Sequence, residues 1–77
     1  MRELLEFLAR ELVDDPDAVE VTEGSDERGP VLTLRVAQED MGKVIGKGGR
    51  TARAIRAVVR AAATRQGVRS VFVEIAD

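Results

Sequence analysis

The chain has 77 residues, 44% of them hydrophobic, and a formal net charge of −2. A chain of this length and regular apolar patterning folds as one domain around a small core, which excludes a disordered protein. Because it has no cysteine and no histidine, disulfides, thiolate or imidazole catalysis and the usual zinc sites are also excluded.

No stretch is apolar enough to span a membrane, and acidic residues occupy the N-terminal segment, where a signal peptide has none. We therefore expect a cytoplasmic protein, and we expect no cofactor.

The first half of the chain predicts one helix followed by two strands. Four leucines recur at helical spacing before Pro16, which cannot continue a helix: Leu4, Leu5, Leu8 and Leu12. Apolar and polar residues alternate over residues 18–23 and 31–36, and this predicts two strands. The polar segment between them, residues 24–30, contains two glycines and a proline and predicts a hairpin loop.

The second half predicts two helices and a third strand. A brief helix is expected over residues 38–45, a long helix over residues 50–66, and a strand over residues 70–76. A helical wheel gives the long helix one apolar face, with Ala52 and Val58 at its flanks, that consists of Ile55, Val59, Ala62 and Gln66. The order α-β-β-α-α-β predicts an α+β domain with the helices packed on one face of a three-stranded sheet.

Charge is distributed unevenly along the chain. Residues 1–40 contain four basic and twelve acidic residues, a net charge of −8, whereas residues 41–77 contain eight and two, a net charge of +6. No acidic residue occurs in residues 41–73. This asymmetry predicts a basic face that the overall charge conceals, and such a face suits a nucleic-acid partner.

Three glycines and a lysine lie together in the segment VIGKGG, residues 44–49. Its spacing fits neither a Walker A loop, which needs Gly-Lys-Ser/Thr, nor a dinucleotide fingerprint, which Thr51 interrupts. What remains is a G-x-x-G turn between the two helices. Without Cβ atoms, such a turn lets a sugar-phosphate backbone approach its amides and the N-terminus of the next helix. The alternative is a turn that uses glycine only for its dihedral angles.

The residues around this turn form a candidate nucleic-acid site. Two lysines and two arginines supply charge for phosphates, and two aliphatic residues are expected to help floor a groove for unstacked bases. The candidate binding residues are Lys43, Val44, Ile45, Gly46, Lys47, Gly48, Gly49, Arg50 and Arg53. No nucleophile–base pair or metal constellation can be assembled, so we predict no catalytic or metal-binding residue and no enzyme.

Phe7 and Phe72 are the only aromatic residues, and both are interpreted as core. Nucleic-acid-binding domains that stack bases use exposed aromatic rings. Binding is therefore expected to depend on the backbone, aliphatic surface and charge, with modest affinity and weak sequence preference.

The segment VIGKGG resembles the signature of KH domains, and α-β-β-α-α-β is the order of their type II variant. KH domains clamp about four nucleotides of single strand with a G-x-x-G loop. The resemblance covers the whole chain, so it implies one KH domain over residues 1–77 that binds single-stranded RNA. Ala52 departs from the wider pattern I-G-x-x-G-x-x-I, and this implies a shallower groove floor.

The chain is also similar to the small bacterial single-KH proteins of the KhpA family, in its length and in the segments LLEFLARELVDDPDAVEV and GKVIGKGGRTARAIR. This resemblance implies a homodimer and a complex with a larger KhpB/Jag-type multidomain KH protein. It further implies an RNA chaperone or post-transcriptional regulator linked to cell shape, cell division and cell-wall biogenesis. The alternative is a KH-fold dimerisation module whose RNA contact is supplied mainly by its partner. A protein that binds single-stranded DNA instead of RNA is an alternative that differs less from the main prediction.

Overall fold

The computed structural model describes residues 1–77. Its main elements are α1 (Arg2–Leu12), β1 (Glu20–Asp26), β2 (Gly29–Arg35), α2 (Met41–Ile45), α3 (Arg50–Arg65) and β3 (Phe72–Ala76). Short 3-10 helical turns precede β1, α2 and α3, at Pro16–Ala18, Gln38–Asp40 and Lys47–Gly49. The predicted α+β class and element order are confirmed. None of the helices combines the length and apolar character that crossing a bilayer requires.

The three strands form one sheet in the order β1-β2-β3. β1 and β2 pair antiparallel, with Val21 opposite Leu34, and β3 pairs parallel to β2, with Val73 opposite Leu32. A parallel pair needs a long crossover, which α2 and α3 supply. Because side chains alternate along a strand, all four residues point to one face, where they are buried under the helices.

The hairpin between β1 and β2 is tighter than the loop expected over residues 24–30. Pairing continues to Asp26 and Gly29, so only two residues connect the strands. The Arg28 amide donates to Asp26 Oδ1 (2.8 Å), and its guanidinium donates to Asp26 Oδ2 (2.7 Å) and Glu74 Oε1 (2.9 Å). These bonds close the turn and attach it to β3. The strands therefore continue into the polar segment that was predicted to be a loop.

Thirteen buried hydrophobic residues form one core cluster between the helices and the sheet. The buried face of α3 contains Ile55 and Val59, as predicted, and Ala52 from the predicted flank, but Ala63 takes the place of Ala62 and Gln66. The other flanking residue, Val58, is 46% exposed. Gln66 is exposed because it lies in the turn that ends α3, where the Val68 amide donates to the Ala63 carbonyl (2.9 Å). The apolar face therefore ends at Ala63.

Neither aromatic residue belongs to the core, so that expectation is wrong. α1 packs through Leu5 and Ala9. Phe7 lies two residues from each, about 200° around the helix, and is 60% exposed. Phe72 is half-buried on the sheet face opposite the helices, where the Arg28 guanidinium carbon lies 4.6 Å from its ring centroid.

Candidate nucleic-acid interface

The chain reverses direction between α2 and α3 in residues 46–49, Gly-Lys-Gly-Gly, which we call the glycine loop. Gly46, Gly48 and Gly49 have φ values of +76°, +64° and +77°, and residues with a Cβ rarely adopt such angles. The backbone conformation itself therefore favours glycine at all three positions. The dihedral angles explain these glycines in part. The space around the loop gives a second reason for them.

The inner and outer glycines of the loop have different surroundings. A Cβ on Gly46 would lie 2.7 Å from Thr51 Cβ and 2.9 Å from Thr51 N, so the absence of a side chain lets α2 end directly against the first turn of α3. A Cβ on Gly48 or Gly49 would meet nothing within 4 Å. The outer surface of the loop is therefore open to a ligand.

Three hydrogen bonds hold the glycine loop in this conformation. The Gly46 amide donates to the Gly42 carbonyl (2.9 Å), and the Gly49 amide donates to the Gly46 carbonyl (3.1 Å). Arg53 reaches back from α3 and donates from Nη2 to the Gly48 carbonyl (2.9 Å). The loop is therefore shaped before any ligand binds, which lowers the entropic cost of binding.

The N-terminus of α3 lies at the end of the glycine loop. α3 is 16 residues long, its N-cap residue is Gly49, and no side chain caps this end. The Arg50 amide at this end donates to the Lys47 carbonyl. Uncapped amides and the helix macrodipole together favour an anion at this position. The loop and the helix thus present partial positive charge on the same side of the molecule.

Lys47 and Arg50 add two full charges beside this helix end. Both are exposed, and neither takes part in any of the ion pairs of the molecule. α3 itself contains five arginines and no acidic residue. These two side chains are therefore available to an external phosphate.

Lys43 is the one candidate cation that carboxylates already hold. Its Nζ lies 3.1 Å from Asp14 Oδ2 and 3.6 Å from Asp40 Oδ1, and the hydrogen bond with Asp14 is the main reason that its pKa is raised. The structure therefore places this ammonium on the turn after α1. Sequence reasoning missed Asp40: an acid directly before a helix indicates an N-cap, whereas this carboxylate makes no cap hydrogen bond and accepts the amides of the turn after α1 instead.

Val44 and Ile45 were both predicted to floor a groove for bases, and the structure separates them. Val44 is completely buried in the core, whereas Ile45 is 38% exposed. Consecutive residues of a helix point about 100° apart, so only one of them faces the core here. Ile45 offers apolar surface next to the loop, whereas the Val44 side chain packs in the core and is not available to a base.

A groove between α1 and α3 was not predicted. It has a volume of about 270 Å³ and is lined by Phe7, Leu8, Glu11, Leu12, Thr51, Ala54, Ile55 and Val58. Phe7 and Val58 are 60% and 46% exposed. Thr51 also packs against Gly46, so one end of the groove adjoins the glycine loop. The sequence signal that could have revealed this groove is the presence of apolar residues, such as Phe7 and Val58, outside the core-facing sides of α1 and α3.

The element order, the three-stranded sheet and the G-x-x-G turn between two helices define a KH domain. A family model described as the KH domain of KhpA/KhpB matches residues 2–75, and the chain belongs to this family. KH domains are binding modules, so the expectation of a non-enzymatic protein is confirmed.

Relatives of similar length match nearly the whole chain. A Clostridium acetobutylicum protein is 56% identical over 75 residues, which are 97% of this chain and 99% of the relative. A Halalkalibacterium halodurans protein is 52% identical over 77 residues and the whole of both chains, and a Streptomyces coelicolor protein is 49% identical over 97% of this chain and 94% of its own. Each of these relatives is named RNA-binding protein KhpA.

A solved structure shows the same fold in a longer protein. The crystal structure of a variant of Era from Aquifex aeolicus, bound to GDP and aluminium fluoride, superposes with a TM-score of 0.65 at 20% identity. The match covers 96% of this chain and 28% of that one. At this identity the likeness extends to the fold alone.

Proposed function

We propose that this protein is a non-enzymatic, cytoplasmic single-KH protein that binds single-stranded RNA through the glycine loop. The observation that carries the proposal is the open, preshaped loop at the uncapped end of α3, beside the unpaired cations Lys47 and Arg50. The names of the relatives support RNA as the ligand.

In this proposal the RNA backbone crosses the glycine loop. Phosphates receive hydrogen bonds from amides of the loop and of the first turn of α3 other than those of Gly46, Gly49 and Arg50, which already donate to carbonyls. Lys47 and Arg50 pair with the phosphates. Bases turn towards Ile45, the exposed aliphatic residue beside the loop. Arg53 holds the loop through the Gly48 carbonyl.

One KH domain without a base-stacking ring binds modestly and with weak sequence preference. Phe7 is exposed but lies in the groove between α1 and α3, so it does not change this expectation for the loop. Useful affinity then comes from pairing two KH domains, because the second contact benefits from a high effective concentration. This suits an RNA chaperone or post-transcriptional regulator, with the link to cell shape, division and cell-wall biogenesis that the family resemblance implies.

The groove between α1 and α3 favours a second copy of the chain as the pairing partner. A two-fold contact through the groove sets α1 of one copy against α3 of the other and covers the exposed apolar side chains of Phe7 and Val58. The same groove favours the second candidate function, a dimerisation module, and a KhpB/Jag-type KH protein is the other partner that we propose for it.

The loop is tested by fluorescence anisotropy with a labelled single-stranded RNA of about eight nucleotides, twice the length that one KH domain clamps. Lys47→Asp/Gly48→Asp places two carboxylates where phosphates bind, and we expect at least tenfold weaker binding. A matched control is Arg65→Asp/Gly67→Asp, since Gly67 also has a positive φ (+82°) and open surroundings. This control lies about 22 Å along α3 from the loop and should bind nearly as wild type does.

The proposal would be contradicted by wild type that does not bind RNA, or by a loop variant that binds as well as the control. Binding that does not weaken with salt would also contradict it, since single-strand binding falls with a log–log slope of about −0.7 per phosphate contact. A parallel titration with DNA of the same sequence tests the choice of RNA.

The groove is tested by analytical ultracentrifugation over a concentration series. Val58→Glu places a charge in the groove, whereas Ala57→Glu places it on an exposed part of α3 that does not line the groove. We expect dimers for wild type and Ala57→Glu and monomers for Val58→Glu. A monomeric wild type would exclude the homodimer.

A further inference from the structure

Asp40 lies where the turn after α1 meets the beginning of α2. Its side chain is only 3% exposed, and its two oxygens accept the amides of Asp14 (3.2 Å) and Asp15 (3.0 Å) in the turn after α1. Burial alone would raise its pKa, but these two amides and the Lys43 ammonium keep the pKa below its ordinary value. A fixed negative charge therefore joins the turn after α1 to the beginning of α2.

The same turn brings the Asp14 carboxylate to α2. Asp14 Oδ2 lies 3.1 Å from Lys43 Nζ, and the two side chains are 82% and 44% exposed. An ion pair in contact with water is weak, so another anion is able to compete for the ammonium. The buried Asp40 keeps the backbone of Asp14 in place, while the carboxylate of Asp14 stays exposed to solvent.

Lys43 precedes the glycine loop by three residues, and its charge is the one least available to RNA. Lys47 and Arg50 have no carboxylate partner, and Arg53 bonds a backbone carbonyl. To use Lys43, a phosphate that binds the loop must displace Asp14, the nearer of the two carboxylates at 3.1 Å, and draw Lys43 away from Asp40 at 3.6 Å.

We propose that Asp14 limits the affinity of the glycine loop for RNA by holding Lys43 away from the phosphates. Asp14 thus determines affinity without contacting RNA itself. The inference rests on the proposed function, since it concerns the regulation of the same site.

The size of the effect follows from the electrolyte dependence of single-strand binding. Each phosphate contact contributes a slope of about −0.7. Relative to ~1 M salt, one added contact from Lys43 strengthens binding about eightfold at ~50 mM and about threefold at ~200 mM. Because an exposed ion pair such as Asp14–Lys43 is weak, Asp14→Asn should bind RNA about threefold to fivefold more tightly, with a salt slope steeper by at most ~0.7.

The experiment compares Asp14→Asn with Asp15→Asn by anisotropy at both salt concentrations, in the wild-type and Lys43→Gln backgrounds. Asp15→Asn removes the same charge one residue away, and its carboxylate forms no ion pair. We expect the gain for Asp14→Asn alone and its absence in the Lys43→Gln background. NMR titration of the Lys43 ε-methylene should show a lower lysine pKa in Asp14→Asn, which tests the ion pair without RNA.

The outcomes separate this inference from the proposed function. If Asp14→Asn and Asp15→Asn gain equally, or if the gain persists in Lys43→Gln, a general charge effect replaces the role of Asp14. In that case wild type still binds RNA and Lys47→Asp/Gly48→Asp still does not, so the proposed function stands. Wild type that binds no RNA overturns both.

Discussion

At the scale of single residues, Gly46 has the most demanding environment in the glycine loop. Its φ of +76° and ψ of 172° lie in a region that is essentially restricted to glycine, and Thr51 occupies the space that a Cβ would need. Gly48, with φ +64° and ψ 19°, adopts a left-handed conformation that asparagine and aspartate also tolerate. The residue identities alone do not separate these two glycines.

We expect Gly46→Ala to lower the free energy of unfolding by about 3 kcal/mol, because backbone strain and a steric clash act together. Gly48→Ala should lower it by only about 1 kcal/mol, the cost of the left-handed conformation. Urea denaturation followed by circular dichroism measures both values. Equal losses at the two positions would show that Thr51 moves aside without cost.

Arg53 is expected to act on the shape of the loop rather than on the phosphates. Its hydrogen bond to the Gly48 carbonyl is lost in Arg53→Gln, so RNA binding should weaken several-fold while the salt slope changes by less than the ~0.7 of one phosphate contact. Arg60→Gln, which removes the same charge further along α3, should have little effect on affinity. A loss of the full ~0.7 in slope for Arg53→Gln would instead assign Arg53 to a direct phosphate contact.

At the scale of elements, buried Asp40 joins α1 to α2. Because its folded-state pKa is lowered, it contributes stability at pH values above its unfolded pKa of about 3.9 and loses that contribution as the pH falls through the folded-state pKa. Asp26 also has a lowered pKa, chiefly through its hydrogen bonds with Arg28, and behaves in the same direction at the hairpin.

We therefore expect Asp40→Asn to melt at a lower temperature than wild type at neutral pH. The difference between the two proteins should shrink as the pH falls from about 5 to about 3, since wild type then loses the charged form. Thermal melts over this range measure it, with Asp15→Asn as the control of equal charge. A constant difference at all pH values would mean that the charge of Asp40 is not what stabilises the junction.

At the scale of the whole molecule, one small core supports every element. Its thirteen residues leave a domain of this size with limited stability. Leu34, on the central strand, is completely buried, whereas Leu12, in the groove, is 38% exposed. Substitutions at these two leucines test where the stability resides.

Leu34→Ala should lower the free energy of unfolding by about 3 kcal/mol, because it removes buried surface and leaves a cavity. Leu12→Ala should cost less than about 1 kcal/mol at low protein concentration, since the site is already open to water. Urea denaturation at low and high protein concentration measures the loss of stability in each variant. A large loss for Leu12→Ala that appears only at high concentration would indicate a dimer formed through the groove.

Local patterns accounted for most of the fold. Alternation predicted the strands, helical spacing predicted α1 and α3, and three glycines with a lysine marked the loop, because each pattern depends on neighbours a few residues apart. The errors lie where distant residues meet: Arg28 tightened the hairpin through Glu74, and packing through Leu5 and Ala9 left Phe7 outside the core.

The candidate site divides in the same way. Its composition, charge and position between two helices were readable from residues 43–53, since glycine conformation and unpaired cations are local properties. Folding alone assigned Val44 to the core, closed Gly46 against Thr51 and paired Lys43 with Asp14. These three outcomes required contacts between residues whose separation along the chain, or whose direction on a helix, no local pattern specifies.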